Sequence, residues 1–353
     1  MRGKKGPPKE KFEMNSLIDI QKRLLPDLLV VLQKRYQILK FIGLMGPVGR
    51  RSLAASMNLT ERVLRGEVEF LKNQSLVSIS GLGMHLTANG KDILEQLNEM
   101  MRDITGIAAL EEELQSSLSI EKVIIVSGNN DESPLVKKEL GRAAAMEMKA
   151  SNDEENIIAV TGGSTMAAIA EMLTPEFVGT NCLFVPARGG IGENVKNQAN
   201  TICSIMADHT HSKHRALYVP DHVRKEIYHS FIKEPEISEI LTLIRSANIV
   251  LHGIGDALTM AERRKTNAAD LQKLRSYGAV GEAFGYYFNE AGEVVHKVQT
   301  IGLQLEDLST IPHVIAVAGG KSKAKAIAAY MKCAPKATVL ITDEGAARQL
   351  LKK

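Results

Sequence analysis

From residue 121 onward the sequence alternates short apolar runs with helical stretches, and this rhythm restricts the possible folds more than any other feature. The runs cover residues 123–126, 157–160, 182–186, 217–220, 249–252, 314–318 and 339–341. Runs this short and apolar throughout suit strands buried on both faces, and the helical segments between most of them serve as parallel crossovers. The expectation is an α/β domain with a largely parallel sheet covered on both sides. Residues 283–298, with Asn289-Glu290-Ala291-Gly292 as a turn, interrupt the rhythm as an inserted hairpin.

In such sheets ligands gather beyond the carboxyl ends of the strands, so the loops that follow the runs carry the functional signal. After 157–160 comes Thr161-Gly162-Gly163-Ser164-Thr165. Gly162 and Gly163 let a ligand approach the backbone, and the amides and hydroxyls of Ser164 and Thr165 at a helix start suit a phosphate, although a plain turn and cap would use the same residues. After 182–186, Arg188 beside Gly189-Gly190 offers a cationic fork that suits a phosphate better than a salt bridge. The polar Asn194, Asn197, Gln198 and Asn200 that follow can read sugar hydroxyls or face solvent. The third loop, His252-Gly253-Ile254-Gly255-Asp256, leads to Arg263-Arg264-Lys265. The fourth, Ala318-Gly319-Gly320-Lys321-Ser322-Lys323, repeats the glycine pair with two lysines. Two glycine loops with Arg188 and Arg263 carry enough positive charge for two phosphates.

Other chemistry is poorly supported. Neither glycine loop has the P-loop spacing, no Gly-x-Gly-x-x-Gly follows a strand, and no nucleophile elbow is present. The nine histidines lack metal-ligand spacing, so no metal or cofactor is expected. Cys182, Cys203 and Cys333 are odd in number and widely spaced, which fits a reducing cytoplasm. No run approaches a membrane span, and the charged start lacks the apolar stretch of a signal peptide.

The net charge of +3 hides an asymmetry: residues 1–90 hold 15 Lys+Arg against 7 Asp+Glu, a balance of +8, and residues 91–353 balance at −5. A basic quarter on an acidic body is the footprint of a nucleic-acid-binding module, or else of a solvated basic surface. Residues 1–25 read as a flexible terminus. Residues 26–88 then give a helix, a short helix beginning Arg50-Arg51, a break, a third helix capped by Thr60, and two alternating runs around Gly81-Leu82-Gly83. This is the order of a winged helix-turn-helix. The helix after the turn lies in the major groove in such modules, so Thr60, Arg62 and Arg65 are candidates for contacting DNA, Arg50, Arg51 and Lys72 for phosphates, and His85 for the wing. Arg62 and Arg65 can instead pair with Glu61 or Glu69. Residues 89–118 carry an apolar stripe and read as one linker helix, and 119–353 as the effector and oligomerisation domain.

Several segments resemble the SorC/DeoR-type sugar-responsive regulators: Leu59-Thr60-Glu61-Arg62-Val63-Leu64-Arg65-Gly66-Glu67, Val185-Pro186-Ala187-Arg188-Gly189-Gly190, Lys196-Asn197-Gln198-Ala199-Asn200-Thr201-Ile202-Cys203 and Glu282-Ala283-Phe284-Gly285-Tyr286-Tyr287-Phe288. The resemblance implies a repressor of an operon of central glycolytic genes, released from cooperative binding to operator DNA by fructose 1,6-bisphosphate, with an effector domain similar to the glucosamine-6-phosphate deaminase and ribose-phosphate isomerase type. It implies Gly163, Ser164 and Thr165 at one phosphate, Arg188 and Gln198 beside the sugar, and Arg263, Glu282 and Lys323 completing the site. Ser164 departs from an expected threonine but keeps the hydroxyl, and Lys323 ranks above Lys321, where relatives of this type carry a small polar residue.

The rival is a sugar-phosphate isomerase or deaminase with an appended DNA-binding domain, because fold alone does not fix function. Enzymes of that type resemble one another in a Gly-Ile-Gly-x-Asp-Gly-His stretch. Here the chain reads Gly253-Ile254-Gly255-Asp256-Ala257-Leu258, without the histidine. Asp256 can contact a hydroxyl, but proton shuttling needs a positioned acid/base set. One DNA-binding unit rarely supplies enough specificity, so a homo-oligomer, dimer or tetramer, is expected.

Overall fold

The structure, a computed structural model, describes residues 23–151, 156–177, 181–190, 194–221, 223 and 225–352. Most of the flexible terminus expected over 1–25 lies outside them. The chain divides between Ala109 and Leu110 into two units.

The first unit begins with α1 (Pro26–Met45), where Pro26 occupies the first turn without loss because that N–H has no helical partner. Two further helices follow, α2 (Arg50–Ser56) and α3 (Glu61–Asn73). Thr60 caps α3 by accepting the Val63 amide at 3.3 Å, and Glu61 lies in its positive first turn. Strands β1 (Val77–Ser80) and β2 (Gly83–Leu86) pair antiparallel in the wing, from Val77 opposite Leu86 to Ser80 opposite Gly83. Leu64, Val68 and Leu71 of α3 pack with Ile38, Leu39, Ile42, Leu53 and Met84, joining the helices and the wing in one core. The stretch expected as one linker helix over 89–118 forms two, α4 (Ala88–Thr105) and α5 (Ile107–Leu118). Gly106, at φ 75°, closes α4 with its amide on Arg102 and Asp103, a left-handed turn that glycine adopts freely.

The second unit alternates strands and helices: β3 (Lys122–Val126), α6 (Pro134–Ala150), β4 (Ile157–Val160), α7 (Ser164–Met172), β5 (Leu183–Pro186), α8 (Ala199–Thr210), β6 (Lys213–His214), α9 (Lys225–Phe231), α10 (Pro235–Arg245), β7 (Ile249–Gly253), β8 (Gly255–Asp256), α11 (Ala257–Arg263), α12 (Ala268–Ser276), β9 (Ala279–Ala283), β10 (Tyr286–Asn289), β11 (Val294–Lys297), β12 (His313–Val317), α13 (Ala324–Met331), β13 (Thr338–Asp343) and α14 (Glu344–Leu350). Seven strands form a wholly parallel sheet in the order β3-β13-β12-β7-β4-β5-β6. Alternate residues serve opposite faces. Ile249 and Leu251 of β7 pack with Leu140, Met166 and Met206 from α6, α7 and α8, whereas His252 meets Tyr330 of α13.

Two expectations need correction. The apolar run at 217–220 is not a strand, and β6 at Lys213–His214 is the sheet edge instead. Leu217 and Val219 are buried, but the Asn200 side chain takes the place of a neighbouring strand, accepting from the Leu217 amide and donating to the Leu217 carbonyl, both at 3.0 Å. Asn200 is therefore committed to the backbone rather than open to a sugar. The inserted hairpin is the outer part of a larger insertion, a four-stranded antiparallel sheet in the order β11-β10-β9-β8.

The chain leaves β4 for β5 on one side of the sheet and leaves β7 for β12 on the other. The carboxyl ends of the adjacent β4 and β7 thus mark a topological switch point, where a crevice opens.

Candidate ligand site and nucleic-acid interface

A cavity of about 550 Å³ occupies that crevice. Its wall contains all ten residues singled out in the sequence: Gly162, Gly163, Ser164, Thr165, Arg188, Gln198, Asp256, Arg263, Glu282 and Lys323. Asn194 and Asn197 also line it.

The loop after β4 has the geometry of an anion cradle. Gly163 stands at φ 122°, a conformation open mainly to glycine, and its amide donates to the Asn197 carbonyl at 2.8 Å. A side chain on Gly162 would meet that carbonyl oxygen at 2.7 Å. The first hydrogen bond of α7 runs from Ala167 to Gly163 at 3.0 Å, and no side chain caps the helix. The amides of Ser164, Thr165 and Met166 are therefore presented from its positive end.

Positive side chains surround the cradle. Lys323 donates to the Ile254 carbonyl at 3.2 Å, and burial, with Lys137 and Arg263 nearby, holds its ammonium below the usual lysine range. Lys137, which the sequence did not single out, reaches from α6 to the Ser164 hydroxyl at 3.4 Å. An ammonium disfavoured in this way is stabilised when an anion joins it.

The glycine loop after β12 does not provide a second cradle. Its amides are already taken: Gly320 donates to Asp343 at 2.7 Å, Lys321 to the Asn129 side chain at 3.2 Å, and Ser322 to Asp131 at 2.8 Å, with the Ser322 hydroxyl on Asp131 at 2.9 Å. Carboxylates of the chain itself occupy the place expected for a phosphate. Only Ser322 and Lys323 of this loop reach the cavity, and Lys321 is exposed elsewhere.

Arg188 also differs from expectation. Its Nε donates to Asp221 at 2.7 Å and its Nη1 lies 3.5 Å from Glu282, so the fork is engaged in ion pairs. Arg264 completes a quartet, donating from Nε to Asp221 at 3.1 Å, from Nη2 to Glu282 at 2.9 Å and from Nη1 to the Tyr287 hydroxyl at 3.0 Å. Glu282 further accepts the Gly285 amide at 2.6 Å. The two guanidiniums and two carboxylates balance in charge and are almost wholly buried. Burial alone would raise the Asp221 carboxyl, and Arg188 and Arg264 more than reverse this, holding it below the ordinary range. Asp256 caps α11, accepting the Thr259 amide at 2.9 Å and its hydroxyl at 2.8 Å.

In the first unit, Arg50, Arg51, Thr60, Arg62, Arg65, Lys72 and His85 are all exposed. Arg51 pairs with Glu61 at 3.4 Å and Lys72 with Glu69 at 3.7 Å, and among the described residues neither Arg62 nor Arg65 is ion-paired. Glu67 lies between Lys34 and Arg35 at 2.6 and 2.8 Å, and Arg35 stacks on Phe70 at 3.6 Å.

No group of three His, Cys, Asp or Glu that can hold a metal occurs among the described residues, and no described helix is long and apolar enough to cross a membrane.

Residues 102–352 match the family model described as "Putative sugar-binding domain", and residues 31–101 match the CggR N-terminal DNA binding domain. The chain is 56% identical over 340 residues to the central glycolytic genes regulator of Priestia megaterium, covering 96% of this chain and 99% of that protein. It is 55% identical over 339 residues to the regulator of the same name from Bacillus subtilis, with the same coverage. The structure of a SorC family transcriptional regulator from Enterococcus faecalis aligns with a TM-score of 0.66 at 48% identity, covering 69% of this chain and 100% of that one. The full-length sorbitol operon regulator from Klebsiella pneumoniae, at 16% identity and a TM-score of 0.62 over 91% of this chain and 100% of its own, shares the fold. With relatives over nearly its whole length that are regulators, the chain acts on transcription and is not an enzyme. A DNA-binding module precedes a sugar-binding one in a single sequence, and the chain belongs to the SorC family of sugar-binding transcriptional regulators.

Proposed function

We propose that this regulator represses an operon of central glycolytic genes in the cytoplasm, and that fructose 1,6-bisphosphate binds the cavity and releases operator DNA. The single observation that carries the effector reading is the open N-terminal end of α7 facing a cavity beside Lys323 and Arg263. A phosphate on those amides accepts their hydrogen bonds and neutralises the lysine cluster. The sugar then lies toward Gln198, Asp256 and the Arg188–Glu282 quartet, whose positions suit hydroxyl contacts. With the second glycine loop closed by Asp131 and Asp343, the second phosphate depends on side-chain cations rather than a second backbone cradle. The glycolytic assignment draws on the names of the two relatives with more than half their residues identical.

In this reading residues 26–88 bind DNA, with Arg62 and Arg65 at the bases and Arg50, Arg51, Lys72 and His85 on the backbone or in the flanking groove. The segment 89–118 links them to the effector domain of 119–353, and the chain works as a dimer or tetramer. The effector acts by binding two arrangements of that oligomer unequally, since equal affinity shifts nothing.

The test is a thermal-shift screen of the full chain with fructose 1,6-bisphosphate, fructose 6-phosphate, glucose 6-phosphate and dihydroxyacetone phosphate, because a ligand that binds the native state stabilises it by mass action. The bisphosphate should give the largest rise and should also release the chain from a DNA duplex it has selected from a random pool. Stabilisation and release by a monophosphate alone would overturn the choice of effector.

A further inference from the structure

Gly66 lies in the interior of α3, a 13-residue helix. Glycine is the costliest ordinary residue there, since it gives up the most backbone freedom and adds no packing. Among the described residues nothing calls for it: the backbone is ordinary helix, the residue is exposed, and, the neighbouring residues and the helix's own backbone aside, no atom lies within 4 Å of the place a Cβ would take. A glycine that the fold does not need points to a body outside the fold that needs the space.

The position shows which body. With 3.6 residues per turn, the buried Leu64, Val68 and Leu71 define one face of α3, and Arg62 and Gly66 fall opposite it, with Arg65 on the flank. Of the carboxylates of the helix, Glu67 is held by Lys34 and Arg35 and Glu61 by Arg51, while Glu69, on the outward side one turn after Arg65, pairs with Lys72. Glu67 is held below the usual carboxylate range: burial alone would raise it, and the two cations reverse this. The outward face is thus a glycine gap bordered by two arginines free of ion pairs among the described residues, which fits a polyanion with a floor to be approached closely.

We infer that Gly66 is where the recognition helix comes closest to the base-pair edges of the major groove, its missing side chain letting the helix settle deep enough for Arg62 and Arg65 to reach the bases. The inference rests on α3 being the recognition helix.

The experiment compares Gly66→Ala, Gly66→Gln and Arg62→Ala in the full chain, with two probes: a duplex selected by the wild-type chain from a random-sequence pool, and a scrambled duplex of equal length. Gly66→Ala should raise the unfolding temperature of the N-terminal unit by roughly 4 °C or more, as removing a helix-interior glycine does in a domain of this size. It should weaken binding to the selected duplex by about tenfold, with Gly66→Gln weaker still, and leave the scrambled duplex unaffected. Stabilised variants that bind the selected duplex within about twofold of wild type would overturn the inference, as would equal losses on both duplexes or a fall in unfolding temperature. If Arg62→Ala weakens selected-duplex binding while the Gly66 variants do not, only the glycine inference falls. If Arg62→Ala also has no effect, the assignment of α3 falls with it.

Discussion

Arg264 donates from Nε to Asp221 at 3.1 Å as a buried part of the cavity wall, while the adjacent Arg263 stands exposed on the same wall. Of the two neighbours only Arg264 is committed to buried ion pairs. Arg264→Ala leaves Asp221 and Glu282 with Arg188 as their sole guanidinium, and breaking a buried ionic network in this way costs about 3–5 kcal/mol. Arg263→Ala removes a surface side chain and should change stability by less than about 0.5 kcal/mol. Denaturant unfolding of the two variants should separate them clearly, and the thermal shift given by fructose 1,6-bisphosphate should shrink for Arg263→Ala. Equal stability of the two variants would show that the quartet does not hold the second unit together.

Thr165 and Lys323 approach the proposed phosphate from different elements, the amino end of α7 and the 3-10 turn before α13. Each charge-assisted contact is worth about 1.5–3 kcal/mol, or roughly tenfold to a hundredfold in affinity. Thr165→Ala combined with Lys323→Ala should therefore abolish the response to fructose 1,6-bisphosphate, with binding to a selected duplex unchanged in its absence. Titrating the sugar into the protein–DNA complex measures both. Release that persists at the wild-type concentration would remove the effector from this cavity.

The part of the site that was legible in the sequence is the part written locally. Gly162, Gly163, Ser164 and Thr165 are consecutive, and a glycine pair between an apolar run and a helix already states a strand-to-helix loop, which the structure shows as β4 leading to the uncapped α7. The second glycine pair looks the same in sequence but behaves differently, because Asp131 lies 191 residues from Ser322 and Asp343 ends another strand, β13. Only the fold brings those carboxylates onto the loop. The ion pairs of Arg188 are hidden for the same reason: Asp221 is 33 residues away and Glu282 further still, so nothing near Arg188 reveals them. Lys137 sits in an ordinary-looking helix and gains its place only when α6 packs beside α7. The run at 217–220 shows a related limit, since an apolar segment can be buried as a loop when one side chain, Asn200, satisfies its backbone.

His252 makes the stability of the second unit depend on pH. The ring is fully buried against Phe284 and Tyr330, and this burial outweighs the Gly253 carbonyl and the charge of Glu282, pushing its pKa down to about 4. Neutral, it donates from Nδ1 to the Gly253 carbonyl at 3.1 Å and accepts the Tyr330 hydroxyl at Nε2, 3.0 Å away. Between pH 6.5 and about 4 the unfolded chain binds this proton and the folded chain does not, so stability falls as pH falls through that window. Above pH 6.5 the residue adds no pH dependence. The full effect is about 3 kcal/mol. His252→Asn should flatten the slope of unfolding free energy between pH 6.5 and 5, a range above that in which the depressed Asp221 carboxyl titrates. An unaltered slope would show that the proton is taken up elsewhere.

Arg65 stands exposed on the flank of α3, without an ion pair among the described residues, whereas Lys72 has Glu69 beside it at 3.7 Å. A cation that neutralises a DNA phosphate releases a condensed counterion, and the affinity then depends on salt with a slope that counts such contacts. If Arg65 contacts a phosphate, Arg65→Ala should weaken binding to selected and scrambled duplexes alike and reduce the salt slope by about one. If it reads a base edge, the loss should be about 1–3 kcal/mol on the selected duplex alone. Fluorescence anisotropy across a salt series separates these outcomes. Wild-type affinity and slope on both duplexes would move Arg65 out of the interface and leave Arg62 and Lys72 as the cations of α3 directed at DNA.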